Sequence, residues 1–215
     1  MSIAYNTSIV TSGLVMCLDA GNPKSYPGSG TTIRDVTGNG YNGTLTNGPT
    51  FSSANGGVIV LDGINDYIDV QGINLSSSSY TIFAATRYVN VSGRIISGRN
   101  NNWLMGHWGG TTENYYAEGW VSAAYAGAAD TNWRIYAATW DSSTDQAALY
   151  TNGVLTSGPN TSASAGPNGF GIGCYFIGQS EWSAGQFSFL TAYSNVLTAD
   201  QITQNFNALR GRYGI

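Results

Sequence analysis

The sequence predicts an all-β fold, a sandwich of two antiparallel sheets with one short helix at the C-terminal end. Three observations lead there. Most apolar runs alternate with a period of two, as half-buried strands require. Clusters of Gly, Asn, Ser and Pro bound those runs, and such residues supply the backbone geometry of tight turns. A helical period appears once, close to the chain's end.

The strand-forming runs are "LVMCLDA", "GVIVLDG", "DYIDV", "YTIFAATRYV", "GRIISG", "NWRIYAATWD", "QAALYTNGVL" and "QFSFLTAYS", rich in β-branched and aromatic residues. Asn152-Gly153 inside "ALYTNGVLTSG" predicts a two-residue hairpin, because both central residues of that turn need positive φ. The same chemistry makes "GNGYNG" and "TNGP" tight turns, and "SSSS" at 76–79 a loop. In "LTADQITQNFNALRG" Thr198 and Gln201 fit a capping box. Ile202, Phe206 and Leu209 then share one apolar face, and Gly211 stands where the helix would end. This places the helix at 198–209. No linker, repeat or second module interrupts the pattern, so one domain is expected over 1–215, with its core at about 13–209. A chain of 215 residues is long for one domain but within the range of β-sandwiches.

Composition narrows the function. Hydrophobic residues make up 42%, enough for a sizeable core, whereas charged residues are only 9%, against a usual quarter. Lys24 is the single lysine and the isoelectric point is near 4.6. Nucleic-acid binding is excluded on that ground, since phosphates call for clustered Lys and Arg. No apolar run has the length of a membrane span, and "MSIAYNTSIVTSG" lacks the basic start of a signal peptide. A surface dominated by hydroxyls and amides is common on extracellular proteins and virus particles. Cys17 and Cys174 lie in strand-like runs and are expected as buried free thiols, a single bridge between them being the alternative, with no zinc-type spacing around them.

Two sets of residues could carry chemistry. "NNWLMGHWGGTTENYYAEGW" concentrates Trp103, His107, Trp108, Tyr115, Tyr116 and Trp120. Sugars stack their C–H faces on aromatic rings while Asn, Glu and His bond their hydroxyls, so the cluster is a candidate carbohydrate or partner site. Against this, period two turns half of the rings into the core, and His107 reads as a polar residue in an aromatic loop. Trp133 and Trp140 read as core aromatics. The second set is Asp19, Asp35, Asp62 and Asp66, with Asn39 and Asn65, which offer hard oxygen ligands of the kind calcium takes. The alternative is that the Asn- and Gly-rich segment 18–70 only shapes turns. Its spacing matches no EF-hand loop.

The order of "GLVMCLDAGNPKSYPGSGT", "DVTGNGYNGTLTNGPTF", "ANGGVIVLDGINDYIDV", "WRIYAATWDSSTDQAALYTNGVLTSG" and "GQFSFLTAYSNVLTADQI" resembles the concanavalin A-like lectin/glucanase superfamily, in its laminin-G-like branch. The resemblance covers about Gly13 to Leu209 and implies two curved sheets in jelly-roll order. It implies a structural calcium in many members, often with an acidic residue in the last strand, where this chain has Gln186 and Ser188. The superfamily's hydrolases carry paired carboxylates on one strand, as E-x-D-x-E or E-x-D-x-x-E. Glu113, Glu118 and Glu181 lack that setting, and His107 has no triad partners nearby in sequence, so no enzyme is expected.

The "LDAGNPKSYPGSGTT" version is similar to laminin-G-like domains of tailed-phage virion proteins, cyanophages among them. That resemblance implies a non-enzymatic virion component, a head decoration (cement) or tail-associated protein. It would be assembled in the host cytoplasm, touch other capsid or tail proteins, form a homo-oligomer on the particle, and bind surface glycans. The alternative is an extracellular carbohydrate-binding or adhesion module of a secreted bacterial protein or glycanase. Neither reading involves nucleic acid or membrane insertion.

Overall fold

In the computed structural model residues 8–215 are described; residues 1–7, the start of the single domain expected over 1–215, lie outside the described residues. The described residues form fifteen strands. The first seven are β1 (Leu14–Asp19), β2 (Thr32–Ile33), β3 (Gly43–Thr46), β4 (Thr50–Ser52), β5 (Val58–Asp62), β6 (Tyr67–Asn74) and β7 (Tyr80–Tyr88). Then follow β8 (Arg94–Gly98), β9 (Trp103–Trp108), β10 (Thr111–Ala117), β11 (Arg134–Asp141) and β12 (Gln146–Thr151). The last are β13 (Val154–Asn160), β14 (Asn168–Ile172) and β15 (Ala184–Tyr193), after which comes helix α1 (Ala199–Leu209).

The strands pair antiparallel into two sheets. One runs β13-β12-β11-β7-β15-β5-β4, with β1 added beside β15. The other runs β10-β9-β8-β14-β6-β3-β2. The expected all-β sandwich with one short C-terminal helix is therefore the observed fold.

Two apolar layers hold it. Between the sheets lie Met16, Leu18, Ile68, Val70, Tyr80, Ile82, Trp103, Met105, Tyr115, Tyr136, Trp140, Phe170 and Leu190, all buried. The outer face of the eight-stranded sheet is also apolar, with Phe83, Ile135, Phe189 and Tyr193. It is closed by Ile202 and Leu209 of α1, by Tyr213 and by Val10. This explains the near-continuous apolar runs of β7 and β11: strands covered on both faces lose the polar half of the alternation. Trp133 and Trp140 are core residues as expected, one in each layer.

The turn chemistry follows the residues. Asn152 (φ 52°) and Gly153 (φ 78°) form the β12–β13 hairpin. Thr198 caps α1: its hydroxyl accepts from the Gln201 amide, and the Gln201 side chain accepts from the Thr198 amide. At its other end α1 stops at Leu209, as expected, and a separate 3-10 turn over Arg210–Arg212 carries the chain through Gly211. Asn205 is also buried, while Phe206 is only half covered, because the Asn205 amide side chain bonds the Tyr193 hydroxyl and the Val10 amide.

The cysteines are free and buried, on the outer sides of opposite sheets. Cys17 lies in β1, whereas Cys174 falls just beyond β14 rather than within a strand. Burial pushes the Cys17 thiol up to about 12, helped by Asp19 and Asp35, and the Cys174 thiol up to about 11.

Candidate functional site

The aromatic cluster read from the sequence sits on β9, β10 and the turn after β10, in the seven-stranded sheet. His107 is thus in a strand, not in an aromatic loop. Register places Met105 opposite Tyr115 and Leu104 opposite Tyr116. Alternation then divides the candidates in two. Trp103, His107 and Tyr115 point between the sheets and are fully buried, whereas Trp108, Tyr116 and Trp120 are half-buried on the outer face.

The inward group is a satisfied core for the most part. The Trp103 indole N–H donates to the Tyr80 hydroxyl (2.9 Å). That hydroxyl lies 2.6 Å from the Tyr115 hydroxyl, which in turn donates to the Thr139 carbonyl (3.2 Å). His107 Nδ1 meets the Thr86 hydroxyl (3.1 Å), and its ring is edge-on to Tyr88 and Tyr136. Its Nε2 is buried with no partner among the described residues. Burial, aided by the nearby Arg134 cation, pushes the imidazole down to about 3, so His107 is neutral at physiological pH and offers no acid–base chemistry there.

The outward group forms a row. Trp108 packs on Tyr125 (centroids 4.7 Å, planes 30° apart) and on Trp120 (5.1 Å), and Trp120 packs edge-on against Tyr116 (5.1 Å). Tyr125, 58% exposed, completes the strip. Its backbone N–H is held by the Asn114 side chain (2.9 Å). Gly109 lets its ring approach, since a Cβ there would lie 2.6 Å from it.

The strip is fixed at Trp108 from another part of the chain. The Trp108 indole N–H donates to Glu181 Oε2 (2.9 Å), and the same oxygen takes the Arg94 Nε–H (2.7 Å). Arg94 is directly opposite Trp108 in the β8–β9 ladder. Its guanidinium lies 4.3 Å above the Tyr175 ring, and its other arm donates to Asn102 (3.1 Å). Glu181 arrives on the β14–β15 connection, which crosses the outer face of the seven-stranded sheet. The Ser97 hydroxyl reaches the Cys174 carbonyl beneath it, and Trp182 packs on Tyr67. Gly93 permits this crossing: a Cβ there would lie 2.2–2.5 Å from the carbonyl groups of Glu181 and Trp182. Beyond Tyr175 the same connection walls a cleft of about 350 Å³ with Arg99, Asn100, Phe176, Ile177 and Gln179.

The four aspartates are not gathered into one ligand set; among the described residues no three His, Cys, Asp or Glu side chains converge. Asp19 pairs with Arg212 (2.9 Å). Asp35 accepts from the Cys17 and Thr37 amides, and Asn39 donates to the Val15 carbonyl. Asp62 caps the β5–β6 turn through the amides of Ile64, Asn65 and Asp66, and Asp66 accepts from the Asp62 amide. Those amides, that of Ile64 first, hold the Asp62 carboxyl below its usual range. Burial and the Asp62 charge raise that of Asp66. These residues do what the turn reading requires, and as placed they do not fit a shared calcium. In the last strand Gln186 bonds Arg87 and Ser188 bonds the Gly57 carbonyl.

Glu118 is exposed and accepts from the Asn102 amide (2.9 Å). Sequence reasoning missed Tyr125 and Arg94, and treated Glu181 only as an isolated carboxylate. The signal for Tyr125 was slight: one Tyr in an Ala- and Gly-rich stretch.

Two antiparallel sheets packed face to face, the larger covered on its outer side by α1, define a jelly-roll sandwich. The chain belongs to the concanavalin A-like lectin/glucanases superfamily: the laminin-G-type family model matches residues 62–203. No curated protein matches it in sequence. Several solved structures share the fold. Domain 4 of AbnA, an extracellular GH43 arabinanase from Geobacillus stearothermophilus solved with arabinotriose, aligns with a TM-score of 0.67 at 20% identity. That alignment covers 90% of this chain and 98% of that domain. Trypanosoma rangeli sialidase in complex with sialic acid aligns at 0.65 and 14% identity over 95% of this chain, which spans 34% of the sialidase. The binding domain of Paraclostridial Mosquitocidal Protein 1 aligns at 0.64 and 17% identity, covering 91% of this chain and 52% of that one. At these identities the likeness is one of fold.

Proposed function

We propose that this chain is a non-catalytic glycan-binding module whose contact surface is the outward strip Tyr125–Trp108–Trp120–Tyr116. The observation that carries the reading is the strip itself: half-exposed aromatic rings in one row, at 4.7–5.1 Å spacing, beside the amides and carboxylates of Asn102, Glu118 and Glu181. Large aromatics normally bury themselves, and a row left at the surface suits the C–H faces of sugar rings. The arabinanase domain bound to arabinotriose supports a neutral oligosaccharide as the first ligand to try. Catalysis is not part of the proposal, because Glu181 is tied to Arg94 and Trp108, and Glu118 to the Asn102 amide.

The placement we propose is the surface of a phage particle, as a decoration or tail-associated protein. This rests on the sequence similarity of segment 18–49 to virion laminin-G-like domains; an extracellular adhesion module uses the same strip. A glycan array probed with the whole chain tests the binding reading, and reducing-sugar release from the bound glycans tests the catalytic one. Binding without release is expected. An array with no signal, or sustained release, overturns the corresponding half. Electron microscopy of virions carrying the labelled chain tests the placement.

A further inference from the structure

We infer that the strip takes uncharged oligosaccharides and discriminates against acidic ones. The inference rests on the glycan-binding reading and concerns which class of glycan that surface accepts.

The argument starts from how the Arg94–Glu181 pair is oriented. The arginine side chain is 4% exposed and the glutamate side chain 36%. The cation is thus drawn beneath the surface, under the cover of Tyr175, while its carboxylate partner faces the rim of Trp108. Farther along the row Glu118 stands in the turn between Tyr116 and Trp120, exposed and without a cationic partner among the described residues. The row therefore presents carboxylate oxygens to solvent at two points, beside Trp108 and beside Trp120. Arg134, the next cation along β11, is bound in a bidentate pair with Asp130 (2.6 and 2.8 Å). Arg99, in the cleft beyond Tyr175, is paired with Asp69 (2.6 Å), and the exposed cations Lys24, Arg34 and Arg210 lie on other elements.

A sialic or uronic acid laid on these rings would bring its carboxylate near Glu118 or Glu181 with no guanidinium or ammonium to receive it. A neutral sugar meets no such opposition. Its hydroxyls can donate to those same carboxylates, and charge-assisted bonds of that kind are the stronger ones. Carboxylates at a sugar site are thus acceptors for a neutral ligand and a filter against an acidic one.

The test titrates the whole chain calorimetrically with matched probes. Galactosyllactose is set against sialyllactose, and xylotetraose against its glucuronic acid-bearing counterpart, with arabinotriose as a further neutral probe. The neutral member of a binding pair should bind about tenfold or more tighter at low salt. Raising NaCl from about 20 mM to about 500 mM should narrow that gap, since the carboxylates are exposed. Glu118→Gln should narrow it too, by weakening the neutral probe as it relieves the acidic one, and Glu118→Lys should narrow it further or reverse it. An acidic probe that binds as well as its neutral partner overturns the inference while leaving the binding reading intact. So does a gap that ignores both salt and Glu118. If no probe binds and the array is also silent, the binding reading itself fails and this inference falls with it.

Discussion

Trp108 and Glu181, 73 residues apart in the chain, are joined by an indole N–H to carboxylate bond of 2.9 Å, and Arg94 donates to the same oxygen at 2.7 Å. This one carboxylate oxygen ties the β14–β15 connection to the aromatic strip on β9. It also neutralises a nearly buried cation, which water could not reach easily. The strip is therefore held at Trp108 by a fixed acceptor rather than left to rotate.

Removing that acceptor should be felt in stability. Glu181→Ala leaves Arg94 buried without its partner and is expected to cost about 2 kcal/mol, below the usual cost for a fully buried pair because Glu181 is one-third exposed. Glu181→Gln keeps an oxygen for both donors and should cost clearly less. Urea unfolding of the two variants beside the parent chain gives the order; equal losses would show that the carboxylate does not bridge.

The inward and outward rings should part company on truncation. Trp103→Ala opens a cavity between the sheets and strands the Tyr80 hydroxyl network, so a loss of about 3–5 kcal/mol is expected. Tyr125→Ala, at a mostly exposed position, should change stability by about 0.5 kcal/mol or less. Denaturant midpoints measure both.

Acid should weaken the fold through His107. Its folded value near 3 lies below the unfolded value near 6.5, so between those values the unfolded chain binds the extra proton. Its contribution is complete above about pH 6.5 and is lost as pH falls toward 3, at about 1.4 kcal/mol for each pH unit well inside that window. The Asp130 carboxyl, held far below its usual range by Arg134, adds a loss in the same direction once pH drops below about 4. Urea unfolding at pH 7, 5.5 and 4.5 should show the slope, and His107→Gln should flatten it.

The thiols should be silent until the chain unfolds. Cys17 and Cys174 are buried with values raised to about 12 and about 11, so the thiolate is scarce and shielded at neutral pH. A chromogenic thiol reagent should react slowly with the native protein and with both cysteines in denaturant. Prompt reaction of either in the native state would contradict their placement.

Much of the fold was legible in the residues themselves. Asn152-Gly153 announced a hairpin because the turn needs positive φ twice, and Thr198 with Gln201 announced a helix start because the two side chains satisfy amides that the helix leaves open. The end of α1 at Leu209 was legible too, but not the 3-10 turn after it, which leads to Tyr213 packed against Trp133. At the site, alternation foretold that half of the rings would face inward, but not which half. Strict alternation holds through β9, with Trp103, Met105 and His107 inward, whereas a register irregularity between Thr111 and Asn114 sets the phase of Tyr115 and Tyr116 in β10. Glu181 and Arg94 could not be linked to Trp108 from sequence, since the connection that unites them is set by long-range sheet pairing. The aspartates looked like ligands because oxygen ligands and turn caps are the same residue types.

The central claim is that the outward strip binds glycan while the inward rings only hold the fold. Calorimetric titration of Trp120→Ala and Tyr125→Ala with the oligosaccharide that binds the parent chain, beside a thermal melt of each variant, tests it most directly. The account predicts that binding weakens at least about tenfold in both variants, while the Tyr125→Ala melt stays within a few degrees of the parent. Binding that is unchanged in both variants would contradict it and move the contact surface elsewhere on the sandwich.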